Sequence, residues 1–323
     1  MTPWRDLLAQ ALAVLNQPGR PEERTAAARQ LIALAKEDGF GSEARAVWTR
    51  MLGDSQEEVR RAGIEIAMRF AAWEEAENIL GPFATDPSAL VRVQVAGALA
   101  DLERASCRDA LRRLLEDPVA VIRFEAARGL AAIGDASGIQ VLTDSLQKGE
   151  LRFRTLGALA TLGDSRALPA IQALFNRLWL PPYERTQAAG ALAKLGDHEA
   201  AQYLLGRTEK RRGMDRAFAI ELCGEVKAPT ALERLKAILS NEADECRGAA
   251  ARGLGRLGDP SAMPALLAVM QDEAQPDDLR LDAAEGICRL GGPQARTHVE
   301  SLLASLQAPE AREEVRELLE EWT

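Results

Sequence analysis

Ten arginines recur along the 323 residues at a nearly constant interval: Arg24, Arg60, Arg92, Arg123, Arg152, Arg185, Arg216, Arg247, Arg280 and Arg312. Successive copies lie 29 to 36 residues apart. A self-similar unit of that size cannot bury its apolar face alone, so it must stack on its neighbours, and the chain reads as a solenoid. Such a scaffold says much about architecture and little about activity, because solenoids carry many unrelated functions.

Each arginine heads the same apolar pattern. Counting from it, small or apolar residues fall at −1, +3, +4, +7 and +10, which in the fourth copy are Ile122, Ala126, Ala127, Leu130 and Ile133. That spacing is one face of an α-helix and not the alternation of a strand. Gly134 then supplies the left-handed conformation of a helix end, and Asp135 can cap the next helix. A second amphipathic helix follows, visible as Ala167, Ile171 and Leu174, and again as Ala262, Leu266 and Val269. Each unit is therefore a helix–turn–helix pair. At the turns within pairs, Asp86-Pro87 and Asp117-Pro118 place a carboxylate before a proline at the first helical position, and Ser55 with Glu58 reads as a capping box. In these three copies an aspartate precedes the arginine by six residues: Asp54, Asp86 and Asp117.

On these motifs the chain resembles the HEAT-repeat family, in particular the short bacterial repeats described as phycobilin-lyase-like. The resemblance covers nearly the whole sequence. It implies an all-α fold, a right-handed α-α superhelix of about ten helix-turn-helix repeats, built as one array over residues 1–323. Residues 1–38 and 292–323 would cap its ends. It also implies aspartate–arginine hydrogen-bond ladders between neighbouring repeats. Asn241, Trp179 and Lys210 stand where the aspartate should be before Arg247, Arg185 and Arg216, so the ladder is expected to weaken in the C-terminal half.

Composition narrows the functional classes. No signal-peptide pattern opens the chain and no apolar run approaches the ~20 residues of a membrane helix, which leads us to expect a cytoplasmic protein without membrane insertion. Cys107, Cys223, Cys246 and Cys288 fall at small or apolar template positions, as buried reduced thiols would. A net charge of −9 counts against a broad phosphate-binding face. The best local basic run, Arg207, Lys210, Arg211, Arg212 and Arg216, reads as a solvated turn.

Enzymes with HEAT-like repeats give the alternatives. Deoxyhypusine hydroxylase holds two irons through several His-Glu pairs, whereas this chain has two histidines and a single such pair, His198-Glu199. One dipeptide does not make a metal centre, so no metal or other cofactor is expected. The HEAT-like DNA glycosylases bind DNA in a basic groove with aromatics, a role in which Trp179 and Tyr183 beside Arg185 can be imagined. The acidic balance and an aromatic content of 4% oppose that reading. A bilin lyase-like role in chromophore handling stays open on the repeat resemblance alone. The leading expectation is a non-catalytic scaffold that holds a protein partner in its concave groove, with no catalytic residues and an undetermined oligomeric state.

The groove can be read as rows of non-core positions. The +1 row carries Val93, Phe124 and Phe153 on consecutive repeats, apolar side chains outside the core stripe, as a protein-binding hot spot requires. Arg128 and Arg154 would guide an acidic partner, and glycines at 97, 157 and 190 would let a bound chain approach. The segment Asn176–Glu184, with Pro181-Pro182, replaces the usual aspartate turn. Trp179, Tyr183 and Gln187 complete the expected partner-binding set.

Overall fold

In the computed structural model the described residues are 3–17, 19–36, 43–149, 151–210, 213, 215–292, 294–306 and 308–321. Among them there are twenty α-helices and no strand, the all-α solenoid fold expected from the repeat. The residues gather into two compact units, Met1–Leu151 and Arg152–Thr323. The first contains α1 (Pro3–Asn16), α2 (Pro21–Lys36), α3 (Ala44–Leu52), α4 (Glu57–Phe70), α5 (Trp73–Leu80), α6 (Ala89–Asp101), α7 (Arg108–Leu114), α8 (Ala120–Ala132) and α9 (Ile139–Lys148). The second contains α10 (Arg152–Leu162), α11 (Leu168–Phe175), α12 (Pro182–Lys194), α13 (His198–Thr208), α14 (Arg216–Glu225), α15 (Ala231–Ser240), α16 (Arg247–Leu257), α17 (Met263–Gln271), α18 (Asp277–Leu290), α19 (Ala295–Ser305) and α20 (Pro309–Glu321).

All ten anchor arginines fall on even-numbered helices. Within the first unit α2, α4, α6 and α8 pack in series, and within the second α10, α12, α14, α16, α18 and α20 do the same. The template positions explain why. Ile122, Ala126, Ala127 and Leu130 are completely buried on α8, and Ile133 is half-buried against the same core. Each fully buried leucine or isoleucine contributes roughly 1.5–3 kcal/mol, so the seams between repeats, not the isolated helices, hold the fold. Gly134, Gly163, Gly196 and Gly258 all take positive φ at helix ends. The carboxylates of Asp135, Asp164 and Asp259 then accept the N–H two residues on, and Asp197 accepts that of Ala200.

Two details of the turns differ from the sequence expectation. Pro87 and Pro118 are not first helical residues: α6 and α8 begin two positions later, and Asp86 and Asp117 instead accept the N–H of Ser88 (2.8 Å) and Val119 (2.9 Å). Ser55 and Glu58 form no capping box, because Gln56 occupies the cap and Asp54 accepts its N–H at 3.0 Å. The reason is competition for the aspartate. Its carboxylate must face the arginine of the preceding repeat, which displaces the helix start.

The ladder itself is present. Arg60 donates to both carboxylate oxygens of Asp86 (2.8 and 2.7 Å) and, backwards, to the carbonyls of Asp54 and Ser55 (2.9 Å each). Arg92 repeats this with Asp117 (2.6 and 3.2 Å) and the Asp86 carbonyl (2.8 Å), and Arg24 pairs with Asp54. In the second unit it lapses at Arg185, where Lys210 stands in the aspartate's place and no forward side-chain partner is found among the described residues, while elsewhere it changes atoms. Arg216 pairs with Asp244 (2.7 Å twice), Arg152 with Glu184 (2.6 Å), and Arg247 donates to Gln275 (2.7 Å). The backward bond moves from six residues upstream to eight at Arg185 (to the Arg177 carbonyl, 2.8 Å), Arg216 (Thr208, 3.0 Å) and Arg247 (Leu239, 2.8 Å) and to ten at Arg280 (Met270, 3.0 Å), while Arg312 keeps six. Guanidinium offers five donors in a planar fork, so any nearby oxygen at the right height completes the rung.

Candidate functional site

The expected partner-binding residues separate by unit. In Met1–Leu151, Phe124 is only 4% exposed, Val93 is half-buried against the core, and Arg128 is held by Asp101 (2.6 Å) and Glu125 (2.9 Å). None of these three offers a free apolar or cationic contact. Phe124 shares a cleft of about 320 Å³ with Val141, Ser145 and Lys148 from α9 and with Leu151. Phe124, at position +1, is thus covered from the side of α9, the helix that follows it.

In Arg152–Thr323 the outcome reverses. Phe153 is 56% exposed, Trp179 94% and Tyr183 43%, and Arg154 is exposed as well. The helix after Phe153, α11, stops at Phe175, and the chain leaves it through the exposed Arg177-Leu178-Trp179 turn. Leu180 alone of that turn is buried and anchors it. Pro181 then takes an extended conformation as the cap of α12 and Pro182 starts the helix, as the double proline predicts. Arg185 ties the turn down by donating to the carbonyls of Arg177 and Leu178. Gln187 is not available to a partner. It is buried, and its amide donates to the Phe153 carbonyl at 3.0 Å, fastening α12 to α10.

The second unit also contains an aromatic that the row reading missed. Phe218 on α14 stacks on Tyr183 with ring centroids 4.9 Å apart and planes inclined by 23°. Phe153, Tyr183 and Phe218 thus lie near the N-terminal ends of three successive anchor helices, at offsets +1, −2 and +2 from their arginines. A strict offset misses them because α12 opens with two prolines and shifts its register. A better signal was density: both tyrosines and three of the seven phenylalanines fall between residues 153 and 218. Of the glycines, 97 and 157 face open space, whereas Gly190 is packed against Leu222 and cannot receive a ligand.

Charges around this surface are largely committed to structure. Asp215 is held by Arg207 and by Thr186 (2.7 Å); burial alone would raise its carboxyl, but these bonds outweigh it and hold it below the ordinary range. The bonds from Arg166 bring exposed Asp164 down to about 2. All four cysteines are buried free thiols, and burial pushes Cys223 up to about 12 and Cys288 to about 11. Arg211 and Arg212 of the basic run lie outside the described residues.

The sequence matches the model of HEAT repeats over residues 77–155, 209–288 and 234–320, and that of the PBS lyase HEAT-like repeat over 151–177. A deoxyhypusine hydroxylase of Eremothecium gossypii is 26% identical over 233 residues, 61% of this chain and 72% of that protein. Among solved structures, an engineered protein is similar over 100% of this chain and 99% of its own, at 18% identity and a TM-score of 0.46. The complex of CpcE and CpcF of phycocyanin lyase from a Nostoc species is similar over 87% of this chain and 94% of that one, at 17% identity and a TM-score of 0.45. His198 and Glu199 are exposed in the first turn of α13, and the other histidine, His298, is on α19. Among the described residues no group of three or more His, Cys, Asp or Glu is arranged to hold a metal ion, and no helix is long and apolar enough to cross a membrane.

Proposed function

The chain belongs to the HEAT-repeat family, and on that footing we propose that it is a protein-binding scaffold whose partner rests on the first helical pairs of Arg152–Thr323. One observation carries this reading. Phe153, Leu178, Trp179 and Tyr183 leave large apolar side chains in water within one stretch of 31 residues, while Phe124, the equivalent of Phe153 one repeat earlier, is buried. Exposed aromatics of this kind, fixed on rigid helices and a proline-braced turn, are what the centre of a protein interface uses. The solenoid supplies the rigid frame that keeps their spacing, and no catalytic step is required of them.

The experiment is site-specific photocrosslinking in cells, with a photoreactive residue at position 179 and a control at Glu233, an exposed position on α15. A discrete adduct is expected from position 179 only, lost when Phe153 is replaced by serine. Equal adducts from both positions, or an adduct indifferent to Phe153→Ser, would remove the site.

A further inference from the structure

Building on that reading, we infer that the segment seated on this surface is acidic: an extended stretch of a protein partner carrying carboxylates beside an aromatic or aliphatic side chain. The first ground is charge. Residues 152–216 hold eleven Lys and Arg against six Asp and Glu, a surplus of five positive charges in a chain whose total is −9. Residues 217–323 hold eleven against twenty. An acidic segment is therefore attracted to α10, α12 and the Trp179 turn before α12 and repelled by the helices that follow, which sets where along the stack it stops.

The second ground is how the local charges are spent. Of the two carboxylates between residues 152 and 185, Asp164 is bound by Arg166 and Glu184 by Arg152, each at 2.6 Å. The two arginines that bracket the Trp179 turn make no such pair among the described residues: Arg185 donates to main-chain carbonyls, and Arg177 stands exposed. Positive charge at the turn is thus uncompensated, directly beside the exposed Trp179. The third ground is room. Gly157 lies one turn beyond Phe153 on the same face of α10, and a methyl group added there would meet nothing within 4 Å. A peptide main chain can lie along that face and place an apolar side chain against Phe153 or Tyr183 while its carboxylates reach Arg177 and Arg185. A polynucleotide fits less well. It carries a phosphate at every step and needs many cations, whereas the surplus here is small and the remaining chain repels a long polyanion.

The test uses the 323-residue chain and short fluorescent peptides in which leucine and phenylalanine alternate with aspartate and glutamate, with glutamine, or with lysine, beside an oligothymidylate of equal length. Anisotropy is read at low and at physiological salt. The acidic peptide is expected to bind roughly tenfold more tightly than the glutamine peptide at low salt and to lose most of that advantage as salt rises. Arg177→Glu should remove the preference and leave the glutamine peptide unaffected, with an unchanged melting temperature. Trp179→Ser should weaken both peptides. Equal affinity for the acidic and glutamine peptides, both sensitive to Trp179→Ser, would overturn the acidic assignment and leave the scaffold reading intact. Tighter binding of the lysine peptide or of oligothymidylate, or no binding of the acidic peptide at millimolar concentration, would also overturn it.

Discussion

In Met1–Leu151 the rungs from Arg24, Arg60 and Arg92 end on aspartates that also shape the turns, whereas in Arg152–Thr323 the acceptors are a glutamate, an aspartate or an amide. The contrast shows which half of each pair the architecture depends on. The arginine is constant because its fork reaches backwards to a carbonyl and forwards to the next repeat at once. The acceptor varies because several side chains can bring an oxygen to the same place. Freed from the aspartate turn, the second unit could lose its usual connection before α12 and expose Trp179 in its stead.

Removing an acceptor should separate the two units most. Asp86→Ala leaves the buried Arg60 guanidinium without its counter-charge and should cost about 3–5 kcal/mol, while Gln275→Ala should cost about 1–2 kcal/mol. Urea unfolding followed by circular dichroism measures both, and equal costs would break the distinction. The aromatic pair comes next. Phe124→Ser should cost about 3–4 kcal/mol, and Phe153→Ser should stay within about 0.5 kcal/mol in the same assay.

Glycines sharpen the comparison on a smaller scale. A methyl group at Gly224 on α14 would run into the Gly253 carbonyl of α16, so Gly224→Ala should destabilise by roughly 1–3 kcal/mol. Gly157→Ala, in open space, should stabilise by about 0.5–1 kcal/mol. If it also weakens partner capture, the face of α10 is in contact with the bound chain. The smallest effect is expected from pH. Burial alone would raise the carboxyls of Asp86 and Asp117, but the bonds from Arg60 and Arg92 outweigh it and hold them below their ordinary 3.8. A folded value below the unfolded one means stabilisation that is complete above the unfolded value and lost as pH falls through the folded one. The guanidinium signals of Arg60 and Arg92 should therefore keep their protection in nuclear magnetic resonance spectra down to pH 3.8 and lose it only as pH falls further, through those lowered values. That of Arg247, bound to an amide that does not titrate, should persist until the unit unfolds.

Much of the fold was legible from periodicity. The positions of Ile122, Ala126, Ala127 and Leu130 lie in the core, Gly134 takes the left-handed turn, and every anchor arginine starts or enters an even-numbered helix. Which residues of the candidate surface stand in water was legible only in part. Phe153, Trp179 and Tyr183 stand exposed, but Phe124 and Val93 occupy the same template row as Phe153 and are covered. Phe218 could not be tied to Tyr183 by spacing alone. Beyond Asp117 the ladder was not legible from one residue type, because Glu184, Asp244 and Gln275 supply the oxygens from other positions.

By itself the amino-acid order determined the helix pairs, their ends and the stripe each buries, since those follow from interactions within a few residues and a regular repeat. Which side chains of one row remain in water was decided by tertiary structure. Exposure depends on where the neighbouring helix stops and how its connection folds back, and α9 and α11 differ there although the helices they serve share a template.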